Sequence, residues 1–309
     1  MKRVIDILLV CISLFFCSCG KDSIFSAGPI VTKTVQFDYA FNCVEMHNDV
    51  NVTLKHADLD HRGGTVVIEA GSNLIDKISI DTTDPKSSTM VISNQNIADW
   101  IRPFGSTIKA TVYYDSIQKI IFESNGNLNT DTLLGILEMT KCDTTIYNAD
   151  GTSYDTTLYI YKRSVHLEII GGAGDINIQT NSDRFYTDYR MGTASANLYG
   201  STRIAYTYTE ITANGPVNAE ELDTEIHFIT AYGTNQIGVK AFSKISAYNY
   251  NIGYIRYLEY IGHEKYWVNN IAYYRPVTCP KSGIEYNGTT YLTTEYTNGT
   301  VDKLIKDLP

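Results

Sequence analysis

The chain has 309 residues, a formal net charge of −9, 24 tyrosines and 22 glycines against only 7 prolines. Its length suffices for a sizeable or an elongated core. An acidic chain without clustered Lys and Arg argues against nucleic acid as a partner, because phosphates demand a basic face. A composition rich in Tyr, Thr, Ile and Gly points to pleated strands punctuated by turns.

Residues 1–18 read as a signal peptide. Lys2 and Arg3 give a positive start, and Ile7 to Phe16 form an apolar run too short to span a bilayer. The run ends in Cys17-Ser18-Cys19 and looks like a bacterial lipoprotein signal, with cleavage before Cys19 and lipid on its thiol and new amino group. Small Ser18 favours Cys19 over Cys17, which follows bulky Phe16. An ordinary secretory peptide is the alternative, but no Ala-x-Ala-like site follows. Lys21-Asp22 resembles the export signal of Bacteroidetes lipoproteins, so the expected location is the outer membrane, anchored through Cys19 and facing outward. Residues 19–33 form a tether. Of the remaining cysteines, Cys43, Cys142 and Cys279, one pair can form a disulfide and one thiol is left over. No Cys-x-x-Cys pair exists, so neither a zinc site nor a redox motif is indicated, and no cofactor is expected.

Short strands are predicted at Thr34–Asp38, Val50–Lys55, Thr65–Glu69, Lys77–Asp81, Met90–Ser93, Thr107–Tyr114 and Lys119–Glu123, separated by turn-rich breaks. In one break, His56, Asp58, Asp60 and His61 are ligand-type side chains that could bind a metal. Such a stretch is more often a solvated turn, and no metal is assigned. Residues 136–163 carry two strand-like runs around Asn148-Ala149-Asp150-Gly151-Thr152, a hairpin signal, and read as an insertion. Insertions in repeat folds often carry binding, although a plain surface hairpin also accounts for this one.

The clearest pattern comes next. Gly174-Asp175-Ile176-Asn177-Ile178 recurs as Ala196-Asn197-Leu198, Val217-Asn218-Ala219 and, with Gly for Asn, Ile237-Gly238-Val239, at steps of 20, 21 and 20 residues. Earlier copies are Asn48-Asp49-Val50-Asn51-Val52 and Gly126-Asn127-Leu128-Asn129-Thr130. A fixed period of this length predicts an all-β fold built as a parallel β-solenoid, or β-helix-like stack, over residues 34–275, with the 136–163 hairpin inserted. Alternation along a strand turns the aliphatic neighbours inward and sets Asn177, Asn197 and Asn218 in one outward structural column, unless they sit at a coil corner and turn in. In Ile245-Ser246-Ala247-Tyr248-Asn249-Tyr250 the same alternation leaves Tyr248 and Tyr250 outward. There they either stack between coils or form a platform for sugar rings. Residues 276–309, with Asn287-Gly288 and the amphipathic Val301–Leu308, read as a hairpin and cap over the exposed end of the stack.

The order and spacing of Phe37-Asp38, Asn48-Asp49-Val50-Asn51-Val52-Thr53-Leu54, Val66-Val67-Ile68-Glu69, Met90-Val91-Ile92-Ser93, Ile108 to Tyr114, Ile117 to Ile120 and the later Gly-x-Ile-Asn copies resemble the head GIN domain, a family of auto-transporter adhesin heads common in Bacteroidetes lipoproteins. The resemblance implies a non-enzymatic cell-surface protein active in adhesion or envelope interaction, with a surface or glycan ligand not specified by the sequence. The alternative is a glycan-binding or polysaccharide-cleaving β-helix. No nucleophile elbow is present, His166, His227 and His263 have no triad context, and Gly171-Gly172-Ala173-Gly174 precedes a strand where a phosphate cradle needs a helix. Asp-Ser/Thr-apolar (or Thr) triplets mark Ser23, Thr82, Ser116, Thr132, Thr144 and Thr156 as candidates for the O-glycosylation that Bacteroidetes use, against chance occurrence in a Thr-rich β protein.

Overall fold

The computed structural model describes residues 27–38, 41–81, 88–95, 108–135, 140–147, 153–160, 163–268, 271–279, 284–286, 289–291 and 303–307; strand residues 140–147, 154–160 and those from 258 on are described by backbone alone. The signal segment, Cys19, Ser23 and Thr82 lie outside the described residues.

The protein is all-β. Its first half holds β1 (Ile30–Gln36), β2 (Cys43–Asn48), β3 (Asn51–His56), β4 (Thr65–Gly71), β5 (Ile78–Asp81), β6 (Thr89–Asn94), β7 (Lys109–Tyr114), β8 (Lys119–Ser124) and β9 (Leu128–Thr130), with a 3-10 turn at Ile75–Lys77. A separate antiparallel pair follows, β10 (Thr140–Tyr147) with β11 (Ser153–Ile160), where the hairpin insertion was expected. Then come β12 (Ser164–Gly172), the long strands β13 (Asp175–Gly192), β14 (Ser195–Ala213) and β15 (Val217–Ala231), and the shorter β16 (Gln236–Val239) and β17 (Lys244–Asn249). The chain closes with β18 (Tyr254–Val268), β19 (Ile271–Cys279), β20 (Ile284–Tyr286), β21 (Thr289–Tyr291) and β22 (Lys303–Asp307).

Two parallel ladders organise these strands. One runs β6–β2–β8–β12–β13–β14–β15–β17–β20. The other runs β7–β3–β9–β13–β14–β15–β16–β18. The three long strands serve both, their first halves in the second ladder and their second halves in the first. Burial in β13 shows how one strand does this. Even-numbered Ile176, Ile178, Thr180 and Ser182 are buried, then odd-numbered Phe185, Thr187 and Tyr189. Near Asp183 the alternation slips by one residue, which moves every later side chain to the opposite face and lets the strand change ladder.

The parallel stacking expected over 34–275 does not describe every strand in that range. β1–β4–β7 and β5–β6 pair antiparallel, and β18 pairs antiparallel with β19 from Tyr260 to Cys279. Alternating Tyr and aliphatic residues suit either strand direction, so the pattern that sets the faces does not set the sense. The final segment, read as an amphipathic stretch, is the strand β22 on the edge of β18, while β20 lies on the edge of β17. Both therefore cover main-chain groups that would otherwise be unpaired edges.

The core is a set of rows, one residue per strand. Val52, Leu128, Ile176, Ala196, Val217, Ile237 and Ile255 are successive partners in the second ladder, each at most 1% exposed. Burial of each large aliphatic contributes roughly 1.5–3 kcal/mol. In the first ladder the row Met90, Val44, Ile120, Leu167 continues as Thr187, Thr207, Ile229 and Ala247, so two hydroxyls enter an otherwise apolar row. Cys43 is buried and not disulfide-bonded, and burial pushes its thiol pKa up. The Cys142 and Cys279 side chains lie outside the described residues.

Candidate functional site

The outward side of each ladder carries a continuous pattern, because in-register parallel strands set equivalent residues about 4.8 Å apart. On the second ladder this produces the asparagine column. Asn218 Nδ2 donates to Asn197 Oδ1 (2.7 Å), Asn197 Nδ2 to Asn177 Oδ1 (2.9 Å) and Asn177 Nδ2 to Asn129 Oδ1 (2.9 Å). All four side chains are half-buried, and beyond Asn218 the row passes to Gly238, over which the Glu220 side chain folds. Asn197 both donates and accepts, so Asn197→Ala removes two of these bonds. At about 1 kcal/mol net per bond, the variant is expected to lose about 2 kcal/mol of unfolding free energy by urea titration, and a loss below about 0.5 kcal/mol would show the column to be energetically idle.

The outward side of the first ladder changes character along its length. Its early strands are charged. Glu168, with its side chain only 10% exposed, meets Lys119 Nζ at 2.6 Å and Arg190 Nη2 at 2.7 Å, and Arg190 also meets Asp188 at 3.1 Å. Burial pushes the Glu168 carboxyl up, but the Lys119 hydrogen bond and the charges of Lys119 and Arg190 together hold its pKa below the usual carboxylate range. Beside it, burial and then the Lys119 charge push His166 down.

Its later strands are aromatic. Tyr186 stacks on Tyr206 (centroids 4.8 Å apart, 6° between planes) and Tyr206 on Phe228 (5.2 Å, 18°), with His166 edge-on at the start of the row. Next to this row lies a more exposed group. Tyr232 stacks on Tyr250 at 4.7 Å and 9°, Tyr208 meets Tyr232 edge-on at 5.9 Å, and Tyr248 lies nearly parallel to Tyr250 at 6.3 Å. Tyr250 is 60% exposed, while Tyr208, Tyr232 and Tyr248 each keep more than a third of their surface open. Tyr248 and Tyr250 thus lie in one open aromatic group with Tyr208 and Tyr232. Tyr186 and Phe228 escaped the sequence reading, since neither belongs to the Asn motif. The signal was their recurrence with Tyr206 as partners on neighbouring strands, visible only once the strand pairing is known.

The other candidates fall elsewhere. Asp58 Oδ1 accepts from the main-chain N–H groups of Asp60 and His61 and contacts His61 Nδ1, while His61 stacks on Tyr113 at 4.1 Å and His56 Nδ1 bonds the Ala57 carbonyl. These side chains organise the turn itself. Ser116 Oγ accepts a hydrogen bond from Arg163, and Thr132 Oγ1 accepts from the His56 N–H and contacts Tyr114 OH. Thr144 and Thr156 are register partners in the β10–β11 pair.

The family described as "Putative auto-transporter adhesin, head GIN domain" matches residues 40–259. Among solved structures, the chain is similar to a "putative adhesin" from Bacteroides fragilis, with a TM-score of 0.54 at 15% identity over 75% of this chain and 90% of that one. It is also similar to a "putative adhesin" from Parabacteroides distasonis (TM-score 0.45, 15% identity, 75% of this chain and 91% of that one). A "Putative lipid binding protein" from the same species gives a TM-score of 0.44 at 10% identity over 72% and 88% of the two chains. No curated protein matches.

Proposed function

The chain belongs to the head GIN domain family, and from that premise we propose that it is a non-enzymatic adhesion protein, lipid-anchored through Cys19 at the outer membrane and facing outward, whose two ladders form a parallel β-solenoid displaying a contact face. The observation that carries the reading is the open aromatic group of Tyr208, Tyr232, Tyr248 and Tyr250. Aromatic rings on a sheet are held by their strands and so lose little entropy on contact, and Tyr combines an apolar face with a polar tip. Flat rings of this kind suit the apolar side of a pyranose, which makes a glycan the favoured ligand class. The rings already stack on one another, so a ligand would add to an existing column.

A glycan array probed with the soluble domain tests this. Saturable binding is expected, and Tyr250→Ala combined with Tyr248→Ala should weaken it at least tenfold while the β-sheet circular dichroism stays unchanged. Binding that survives the double substitution would place the contact face elsewhere. Turnover of a bound polysaccharide, read as new reducing ends, would overturn the non-enzymatic reading.

A further inference from the structure

The asparagine column ends at Asn129, and past that end lies a polar recess. The next residue in the row is Thr53, followed by Thr111. Threonine side chains are shorter than asparagine, so the outward surface sinks there into a recess of about 340 Å³. The two threonines form part of its lining, together with Asn127, Asn129 and Asn51 from one side and Lys109 with its strand partner Glu69 from the other.

The hydrogen bonds around this recess leave it biased toward donors. Asn129 Oδ1 is taken by Asn177 Nδ2, Asn127 Oδ1 by the Asp175 N–H (2.9 Å), and Asn51 Oδ1 by the Asn127 N–H (2.8 Å). Each of the three amides has therefore committed its oxygen to the protein, and among the described residues none of the three Nδ2 groups has an acceptor. Asn218, Asn197 and Asn177 each donate along the column in the direction of Asn129, so their amide dipoles, roughly 3.5 D each if like a peptide, add with the positive end toward Asn129. Lys109 Nζ adds a full positive charge. Glu69 supplies the one carboxylate of the lining.

We propose that this recess binds an acidic sugar, its carboxylate received by Lys109 and the asparagine Nδ2 groups and a ring hydroxyl donated to Glu69. The lining is polar throughout, which matches a heavily hydroxylated ligand, and the volume is at the low end of the roughly 300–1,000 Å³ of small-molecule sites. The site lies on the second ladder, apart from the tyrosines of the first, so it stands whether or not those tyrosines bind glycan.

Titration calorimetry with the trisaccharide of galacturonic acid tests the proposal, with the neutral galactose trisaccharide and acetate as comparison probes. Saturable binding of the acidic trisaccharide is expected, with the neutral one and acetate at least tenfold weaker. Asn129→Asp is the informative variant. It keeps an acceptor for Asn177 Nδ2 but removes the donor and adds a negative charge, so it should fold and lose at least tenfold in affinity. Lys109→Met should lose a similar factor. No binding of the acidic trisaccharide, equal binding of the neutral one, or wild-type affinity in both Asn129→Asp and Lys109→Met would each overturn the proposal. A tight site for acetate alone would make this a simple carboxylate site and overturn the sugar assignment.

Discussion

Gly172→Ala is expected to destabilise the protein by about 3 kcal/mol, while alanine at the adjacent Gly171 costs less than about 1 kcal/mol. Gly172 closes β12 with φ +91°, and a Cβ there would lie 2.0 Å from the Ser124 carbonyl oxygen and 2.6 Å from its carbon. The left-handed conformation costs an L-residue roughly 1–2 kcal/mol, and forcing a methyl group into filled space adds roughly 1–3 kcal/mol. Relaxation is difficult because the obstacle is backbone and is itself bonded. The Ser124 carbonyl accepts from the Ala173 N–H (3.2 Å), and the Gly172 carbonyl accepts from the Thr193 N–H (2.9 Å). The turns are thus stacked main chain on main chain, which excludes side chains between them. Gly171 has no positive φ, and its Cβ would meet the Glu123 Cγ at 3.2 Å, part of a flexible side chain that can swing away. Urea titrations of both variants give the comparison. Equal losses would mean that the stacked turn carries no special constraint.

The same contrast explains which parts of the fold the sequence disclosed. The Asn motif is legible because β13, β14 and β15 face the same demand: aliphatics at 176 and 178 turned in, an amide at 177 turned out to the next amide. A repeated demand leaves a repeated residue. The first-ladder strands lack that repetition. Outward positions there carry Lys119, His166, Tyr186, Tyr206, Phe228 and Ser246 in succession, a row in which only the three aromatics from β13 to β15 repeat a residue type. The strand β2, Cys43–Asn48, was not foreseen, since Cys-Val-Glu-Met-His-Asn holds only one β-branched residue. The joining of two short strands into the single long β13 was hidden by the slip in alternation near Asp183, which reads in one dimension as a break. The donor bias of the recess was out of reach for another reason. It depends on Asn51 and Asn127, 76 residues apart, and on Asn127 and Asp175, 48 apart, so no local pattern marks it.

Acid should unfold the protein in part through one residue, His227. Its ring is fully buried in the core row that also holds Phe185, Ala205 and Ile245, with no charged partner, and burial pushes its pKa down to about 3. Its Nε2 lies 2.9 Å from Thr207 Oγ1 and its Nδ1 has no partner. The least costly arrangement puts the proton on Nε2, donating to Thr207, and leaves Nδ1 as a bare lone pair, because an unpaired acceptor is easier to bury than an unpaired N–H. Protonating Nδ1 would create a buried charge without a counter-ion, which the fold resists. In the unfolded chain the same ring titrates near 6.5. Between the folded value near 3 and that unfolded value, the unfolded state holds the extra proton. The contribution is therefore complete above about pH 6.5 and is lost as pH falls, by roughly 1.4 kcal/mol per unit and on the order of 4 kcal/mol by pH 3. Carboxylates held below their usual pKa, Glu168 and Asp183 among them, lose stability in the lower part of the same range, so the absolute acid sensitivity does not isolate the histidine. The difference from His227→Leu does. That variant pays at every pH for an unpartnered Thr207 hydroxyl, but it has no buried ring to protonate. Its stability, measured by urea titration at half-unit steps from pH 7.5 to 3.5, should converge on that of the wild type as the solution is acidified and overtake it near the acid end. Two curves that fall in parallel would show that His227 is charged in the folded protein or is not buried in this way.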